Sequence, residues 1–183
     1  MKKFAVAAAL VLTFLVLPSL TFPVAAQTHP DFSGTWIFNK PRSSGLPYLM
    51  SNLKEFTKTV SVNQELNQFT VTSFLSLGHF EPKRGERGYL PFRFRDMTFN
   101  LDGSERKIEA TGLLPEALVS AQWKGQALEL VQRLSHQTSS GVVIHILMVE
   151  QWELSDDGKF ATIHQTIDSG LGRQDMILVF ERK

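Results

Sequence analysis

Glu150 and Gln165 are the residues whose types and expected pairing could do chemistry in this chain. A carboxylate held among apolar side chains has its proton affinity raised, which suits general acid–base work. The same group could orient a ligand's polar end, or simply hydrogen-bond Gln165 and a buried water, since unpaired burial is costly. The residues leave these three roles open. Other chemistries find less support. A metal site needs three or four converging ligands, yet His29, His79, His136, His145 and His164 include no close-spaced pair, and the chain has no Cys. No Gly-x-Ser-x-Gly elbow and no glycine-rich phosphate loop occurs, so neither a nucleophilic Ser nor a nucleotide cofactor is expected. We therefore expect no catalytic set, no metal and no cofactor.

What places Glu150 beside Gln165 is a hairpin over residues 144–167. Asp157-Gly158 is a preferred pair for a tight reversal. Centring the turn there sets Leu154 opposite Ala161, Trp152 opposite Ile163, Glu150 opposite Gln165 and Met148 opposite Ile167. A slip of one residue would put Thr162, His164 and Thr166 on the apolar side, so burial selects the first register.

Three further stretches follow the same plan. Residues 56–64 and 67–77 alternate, and a turn on Glu65-Leu66 pairs Val62 with Phe69 and Val60 with Val71; Lys58 and Ser73 share that inward face. Residues 94–101 and 104–111 flank Asp102-Gly103, predicting Met97 opposite Ile108 and Phe99 opposite Arg106, with Arg95 inward. Residues 117–123 and 126–134 flank Lys124-Gly125, predicting Ala121 opposite Leu128 and Val119 opposite Leu130, with Gln132 inward. A last strand over 173–182 pairs back through a turn on Gly170-Leu171, setting Leu178 opposite Ile163. With a first strand at 34–38, about eight to ten antiparallel strands with short turns predict a single up-and-down β-barrel, because closure removes exposed edges.

Two stretches interrupt the alternation. Residues 39–55, with Pro41, Gly45 and Pro47, read as a long loop with one helical turn near 49–53, either a lid over the barrel mouth or a plain surface loop. Residues 78–91 form a loop of mixed charge which, with Arg93 and Arg95, is either an anion-attracting rim or a solvated surface.

Composition bounds the function classes. The 183 residues suffice for one domain with a sizeable core. Lys2-Lys3, the apolar run 4–17, Pro18 and the small-residue site Val24-Ala25-Ala26 have the form of a secretory signal peptide. The expected division is residues 1–26 as signal peptide and 27–183 as barrel, in a secreted or periplasmic protein without membrane insertion after cleavage. Removing residues 1–26 takes away Lys2 and Lys3 and no acid, leaving 17 Lys+Arg against 18 Asp+Glu. A net charge near zero argues against nucleic acid as a partner.

The opening Asp31-Phe32-Ser33-Gly34-Thr35-Trp36, the middle Trp123-Lys124-Gly125, the run Glu150-Gln151-Trp152-Glu153-Leu154-Ser155-Asp156-Asp157-Gly158-Lys159 and the closing Leu178-Val179-Phe180-Glu181-Arg182 carry a resemblance across nearly the whole mature chain. Together they resemble a lipocalin-like domain of small exported bacterial proteins. The resemblance implies a calycin-type barrel and little about activity, with Trp36 closing one end and Arg182 packing on it by a cation–π contact. The chain departs from true lipocalins in lacking a Thr-Asp-Tyr loop signature and a C-terminal helix, which argues against docking on lipocalin receptors.

The leading expectation is an exported lipocalin-like barrel that binds a small hydrophobic or amphipathic molecule inside, without catalysis. Met97, Phe99, Met148 and Trp152 would supply apolar wall; Arg95, Gln132, Glu150 and Gln165 would orient the ligand. The competing readings are an isomerase- or hydrolase-like barrel using Glu150, and an envelope interaction protein acting through the 78–94 loop. If large side chains fill the interior, there is no ligand cavity.

Overall fold

The computed structural model describes residues 29–47, 50–51, 57–76, 92–93, 96–111, 114–137, 141–170 and 172–183. The expected signal peptide, the 78–91 loop and Arg95 lie outside the described residues, as does most of 48–56.

The described residues form eleven strands: β1 (Gly34–Phe38), β2 (Thr57–Gln64), β3 (Gln68–Ser76), β4 (Phe92–Arg93), β5 (Met97–Asn100), β6 (Arg106–Ile108), β7 (Ala117–Lys124), β8 (Ala127–Gln137), β9 (Val143–Leu154), β10 (Phe160–Asp168) and β11 (Arg173–Arg182). All pairings are antiparallel, and neighbours run β4-β3-β2-β1-β11-β10-β9-β8-β7-β6, with β5 also on β3. The sheet curls into a nearly closed barrel. First and last strands join directly, since Trp36 lies opposite Arg182 on one side and Val60 on the other.

The β9–β10 hairpin keeps the expected register along its whole length: Leu154 opposite Ala161, Trp152 opposite Ile163, Glu150 opposite Gln165 and Met148 opposite Ile167. Its turn is wider than expected. Ser155 NH bonds the Phe160 carbonyl at 2.9 Å, the loop spans the four residues between them, and Gly158 alone takes a positive φ, 69°. Asp157 instead accepts from the Ser155 hydroxyl at 2.8 Å and the Lys159 amide at 3.1 Å. Two- and four-residue loops centred on the same pair give the same register, so the prediction survived the wrong turn type. Leu178 also lies opposite Ile163, as expected.

Two hairpins differ from expectation by a shift of two residues. In β2–β3, Glu65 NH bonds Gln68 O at 2.8 Å, so the turn sits on Leu66-Asn67 and Val62 faces Val71 rather than Phe69. In β7–β8 the turn sits on Gly125-Gln126, and Ala121 faces Leu130 rather than Leu128. Gly125 takes φ 67° there, the first central position that only glycine adopts cheaply. A shift of two preserves parity, so every residue keeps its face.

The expected 94–111 hairpin does not form. β5 pairs with β3, placing Phe99 opposite Phe69 and Met97 opposite Val71, while β6 pairs with β7, placing Ile108 opposite Ala117. Asp102-Gly103 does mark a reversal, but the chain there crosses between the two edges of the sheet. Asp102 bridges Gln122, and Gly103 NH donates to the Ala121 carbonyl at 2.9 Å. An Asp-Gly pair fixes where the chain turns, not which edge it joins next. Pairing each segment with a different edge shortens the gap in the barrel wall.

One end of the barrel is filled. Phe32, which precedes β1, is fully buried beneath the sheet, with its ring edge-on to Phe69 at 6.2 Å and to Trp152 at 5.8 Å between centroids. Trp152 and Phe69 meet edge to face at 5.4 Å. The segment carrying Phe32 is strapped from several sides. Gln64 accepts from Phe32 NH and donates to Pro30 O, each at 3.0 Å, and Trp36 Nε1 donates to Phe32 O at 2.8 Å. Arg182 donates to Asp31 O at 2.9 Å and Ser33 O at 3.2 Å while its guanidinium covers the Trp36 ring at 4.4 Å, the contact that the resemblance implied. His29 stacks on Trp123 at 4.2 Å.

The described part of residues 39–55 runs along β11. A 3-10 turn, Lys40–Arg42, follows β1, and Ser44 and Ile177 exchange backbone hydrogen bonds at 2.9 and 3.0 Å. Gly45 lies so near β11 that a Cβ there would come within 2.4 Å of the Asp175 carbonyl oxygen.

Candidate functional site

Beyond Trp152 the interior is hollow. A cavity of about 350 Å³ lies between the strands, at the low end of the range typical for small-molecule sites. Seven of the eight residues expected at a ligand site line it: Met97 and Phe99 from β5, Gln132 from β8, Met148, Glu150 and Trp152 from β9, and Gln165 from β10. Alternation explains the convergence, because positions two apart on a strand share a face and paired residues share it across strands. The wall is otherwise mostly apolar, from Val60, Val71, Leu130, Leu134 and Ile163.

Sequence reasoning placed Lys58 and Ser73 inward but left them out of the site; both line the cavity. The signal was their parity with Val60 and Val71. Leu114 and Pro115, in the connection before β7, also line it, and no pattern in the sequence pointed to them. None of the described residues of 39–51 is part of the lining, so they form no lid over this cavity.

Glu150 is buried, and each of its carboxylate oxygens accepts a hydrogen bond. Gln165 Nε2 donates to its Oε1 and Trp152 Nε1 to its Oε2 at 2.9 Å. Gln165 Nε2 also approaches Met148 Sδ at 3.3 Å. Two neutral N–H donors on one carboxylate offset much of the cost of taking its charge out of water. The Gln165 partner was legible in the register; the indole was not. Trp152 counted as apolar wall in the sequence, yet it is the floor of the cavity, with ring edges packed on the plug and N–H turned to the carboxylate.

Lys58 is half-buried in the opposite wall, its Nζ 5.7 Å from the centroid of the Phe180 ring. Burial holds its amine below the usual lysine range, and the charge of Glu150 opposes that shift. His145 and His164 lie on the outer surface, His145 Nδ1 against the Ser135 hydroxyl at 2.9 Å. Among the described residues no three His, Asp or Glu side chains converge as a metal-ligand set.

Chemically, the site offers an apolar wall, one satisfied carboxylate, one cation and a few uncharged hydrogen-bonding groups. Such a lining can hold and orient a small molecule with one polar end.

No protein-family model and no curated protein matches the sequence. Among solved structures, the chain is similar to zebrafish ileal bile acid-binding protein, crystallised with cholic acid. The TM-score is 0.50 and the identity 14%, over 83% of this chain and 98% of that one. Secretory abundant heat soluble protein 4 from Ramazzottius varieornatus aligns with a TM-score of 0.48 and 10% identity, over 86% of this chain and 99% of that one. At 14% identity the zebrafish likeness is one of fold, and it agrees with the strand order in making this chain an antiparallel, nearly closed β-barrel.

Proposed function

We propose that this protein binds one small amphipathic molecule inside its barrel and exports that capacity to the periplasm or cell exterior. The observation that carries the reading is the cavity itself, about 350 Å³ with a largely apolar wall and polar groups grouped around Glu150 and Lys58. Aliphatic and aromatic side chains would hold the ligand's body, while Gln132, Lys58 and the Glu150–Gln165 pair would fix its polar end. The bile acid-binding protein of similar fold was crystallised with a ligand of that general character. Export rests on the form of residues 1–26.

Native mass spectrometry of protein purified gently from its source tests both parts. The expected result is a polypeptide beginning at Gln27 with a reproducible additional mass that organic extraction identifies as a small amphiphile. Absence of added mass, together with no displacement or uptake of an environment-sensitive apolar dye by the purified barrel, sinks the binding reading. An intact Met1 terminus on protein recovered from the cytoplasm sinks the export reading alone.

A further inference from the structure

The unused hydrogen-bonding capacity of the cavity is unevenly distributed. Lys107 meets Glu116 at 2.7 Å on the surface, Lys124 meets Glu129 at 3.8 Å and Lys159 meets Asp157 at 3.5 Å. The Lys58 ammonium, inside, makes no hydrogen bond or ion pair with any described residue, and the face of Phe180 lies 5.7 Å from it. The side chains of Ser73 and Gln132 likewise have no hydrogen-bond partner among the described residues, although both line the cavity. Ser73 is close to Lys58. It pairs with Val60 while Lys58 pairs with Leu75, so the two are diagonal neighbours on one face of β2–β3. Glu150 differs, since both its oxygens already accept from Gln165 and Trp152. Among the described residues, the side-chain donors of Lys58, Ser73 and Gln132 are unpaired, whereas each oxygen of the one carboxylate already accepts a hydrogen bond.

Resting on the reading that the barrel binds an amphiphile, we propose that its ligand is a monoanion, a carboxylate whose headgroup seats on Lys58 with Ser73 beside it and Gln132 as a further donor. A cationic headgroup would meet the Lys58 charge and have to share carboxylate oxygens that already accept from Gln165 and Trp152. A neutral headgroup would leave the half-buried ammonium without a counter-charge in contact, a state that carries a standing cost. An anion supplies that counter-charge. It need not displace either donor from Glu150, which acts on Lys58 through space rather than by contact. The body of the ligand then lies along Met97, Phe99, Leu134 and Met148.

Decanoate and decanol separate this headgroup seat from the binding function as a whole, because they share a chain and differ in charge. Titration calorimetry on the mature protein should show decanoate binding about ten- to a hundred-fold more tightly than decanol, the span expected when one charge-assisted contact is added. The preference should vanish in Lys58→Met and persist in Lys58→Arg, with near-ultraviolet circular dichroism confirming that both variants keep their packing. If the native protein binds both compounds within two-fold, the carboxylate seat is wrong and the binding barrel stands. If Lys58→Met folds and keeps the preference, another group holds the anion and the assignment to Lys58 fails. If neither compound binds, the headgroup seat and the amphiphile-binding reading fall together.

Discussion

The two ends of this barrel are built from the same strands by the same alternation, yet one is packed solid and the other is hollow. At the filled end β9 contributes Trp152, β8 Leu128, β3 Phe69 and β1 Trp36, all of them buried. A segment outside the sheet, Phe32, enters from below. At the hollow end β9 contributes Met148, β8 Gln132 and Leu134, and β3 Ser73, while among the described lining residues only Leu114 and Pro115 come from outside the strands. The difference is one of volume and of a strapped segment, not of secondary structure. Aromatic side chains pair edge to face and close the space; shorter and polar ones leave it open.

Removing the plug should have the largest effect. Phe32→Ala deletes a fully buried ring that touches Phe69 and Trp152, at a point where Gln64, Trp36 and Arg182 fix the backbone and limit collapse. The expected loss is about 3–5 kcal/mol in denaturant unfolding monitored by tryptophan fluorescence. A loss below about 1 kcal/mol would mean that the aromatic end is not a cooperative part of the core, and the contrast with the hollow end would disappear.

The contrast can be sharpened with one kind of substitution on one strand. Leu128 and Leu134 both point inward from β8, but Leu128 is fully buried among the plug residues and Leu134 borders the cavity. Leu128→Ala should cost about 3–5 kcal/mol, whereas Leu134→Ala should cost about 1–2 kcal/mol, because much of the space around it is already unfilled. Equal losses in the two variants, measured by chemical denaturation, would show that the cavity is closed by packing in solution.

How much of this was legible in the sequence follows the same division. Alternation and turn residues placed Glu150 opposite Gln165 and brought Met97, Phe99, Gln132, Met148 and Trp152 to one interior, because parity is a local property that shifts of two residues leave intact. Phe32 could not be read as the plug. Its position depends on the hydrogen bond its amide donates to Gln64, on the one its carbonyl accepts from Trp36, and on contacts to residues far along the chain. The partners of β5 and β6 were missed for a related reason, since edge choice is settled by closing the barrel rather than by the Asp102-Gly103 turn between them. Lys58 stood on the correct face all along; that its ammonium makes no ion pair with a described residue is visible only once the opposite wall is in place.

The smallest of the three effects comes from that lysine. Its folded-state proton affinity lies below the ordinary lysine value because of burial, with Glu150 as the charged group acting against the shift. Between the lowered value and the ordinary one the unfolded chain binds more protons than the folded chain, so stability should rise as pH climbs through that window. The rise should be modest, because the amine borders a cavity and is not enclosed by packed side chains. The informative quantity is the difference between the native protein and Lys58→Met, followed as the denaturation midpoint against pH, because it isolates the contribution of this one amine. The gap should narrow or reverse in favour of the native protein as pH increases. A gap that is flat across the range would mean that Lys58 is as well solvated folded as unfolded, and that the hollow end is open to water at the depth of β2.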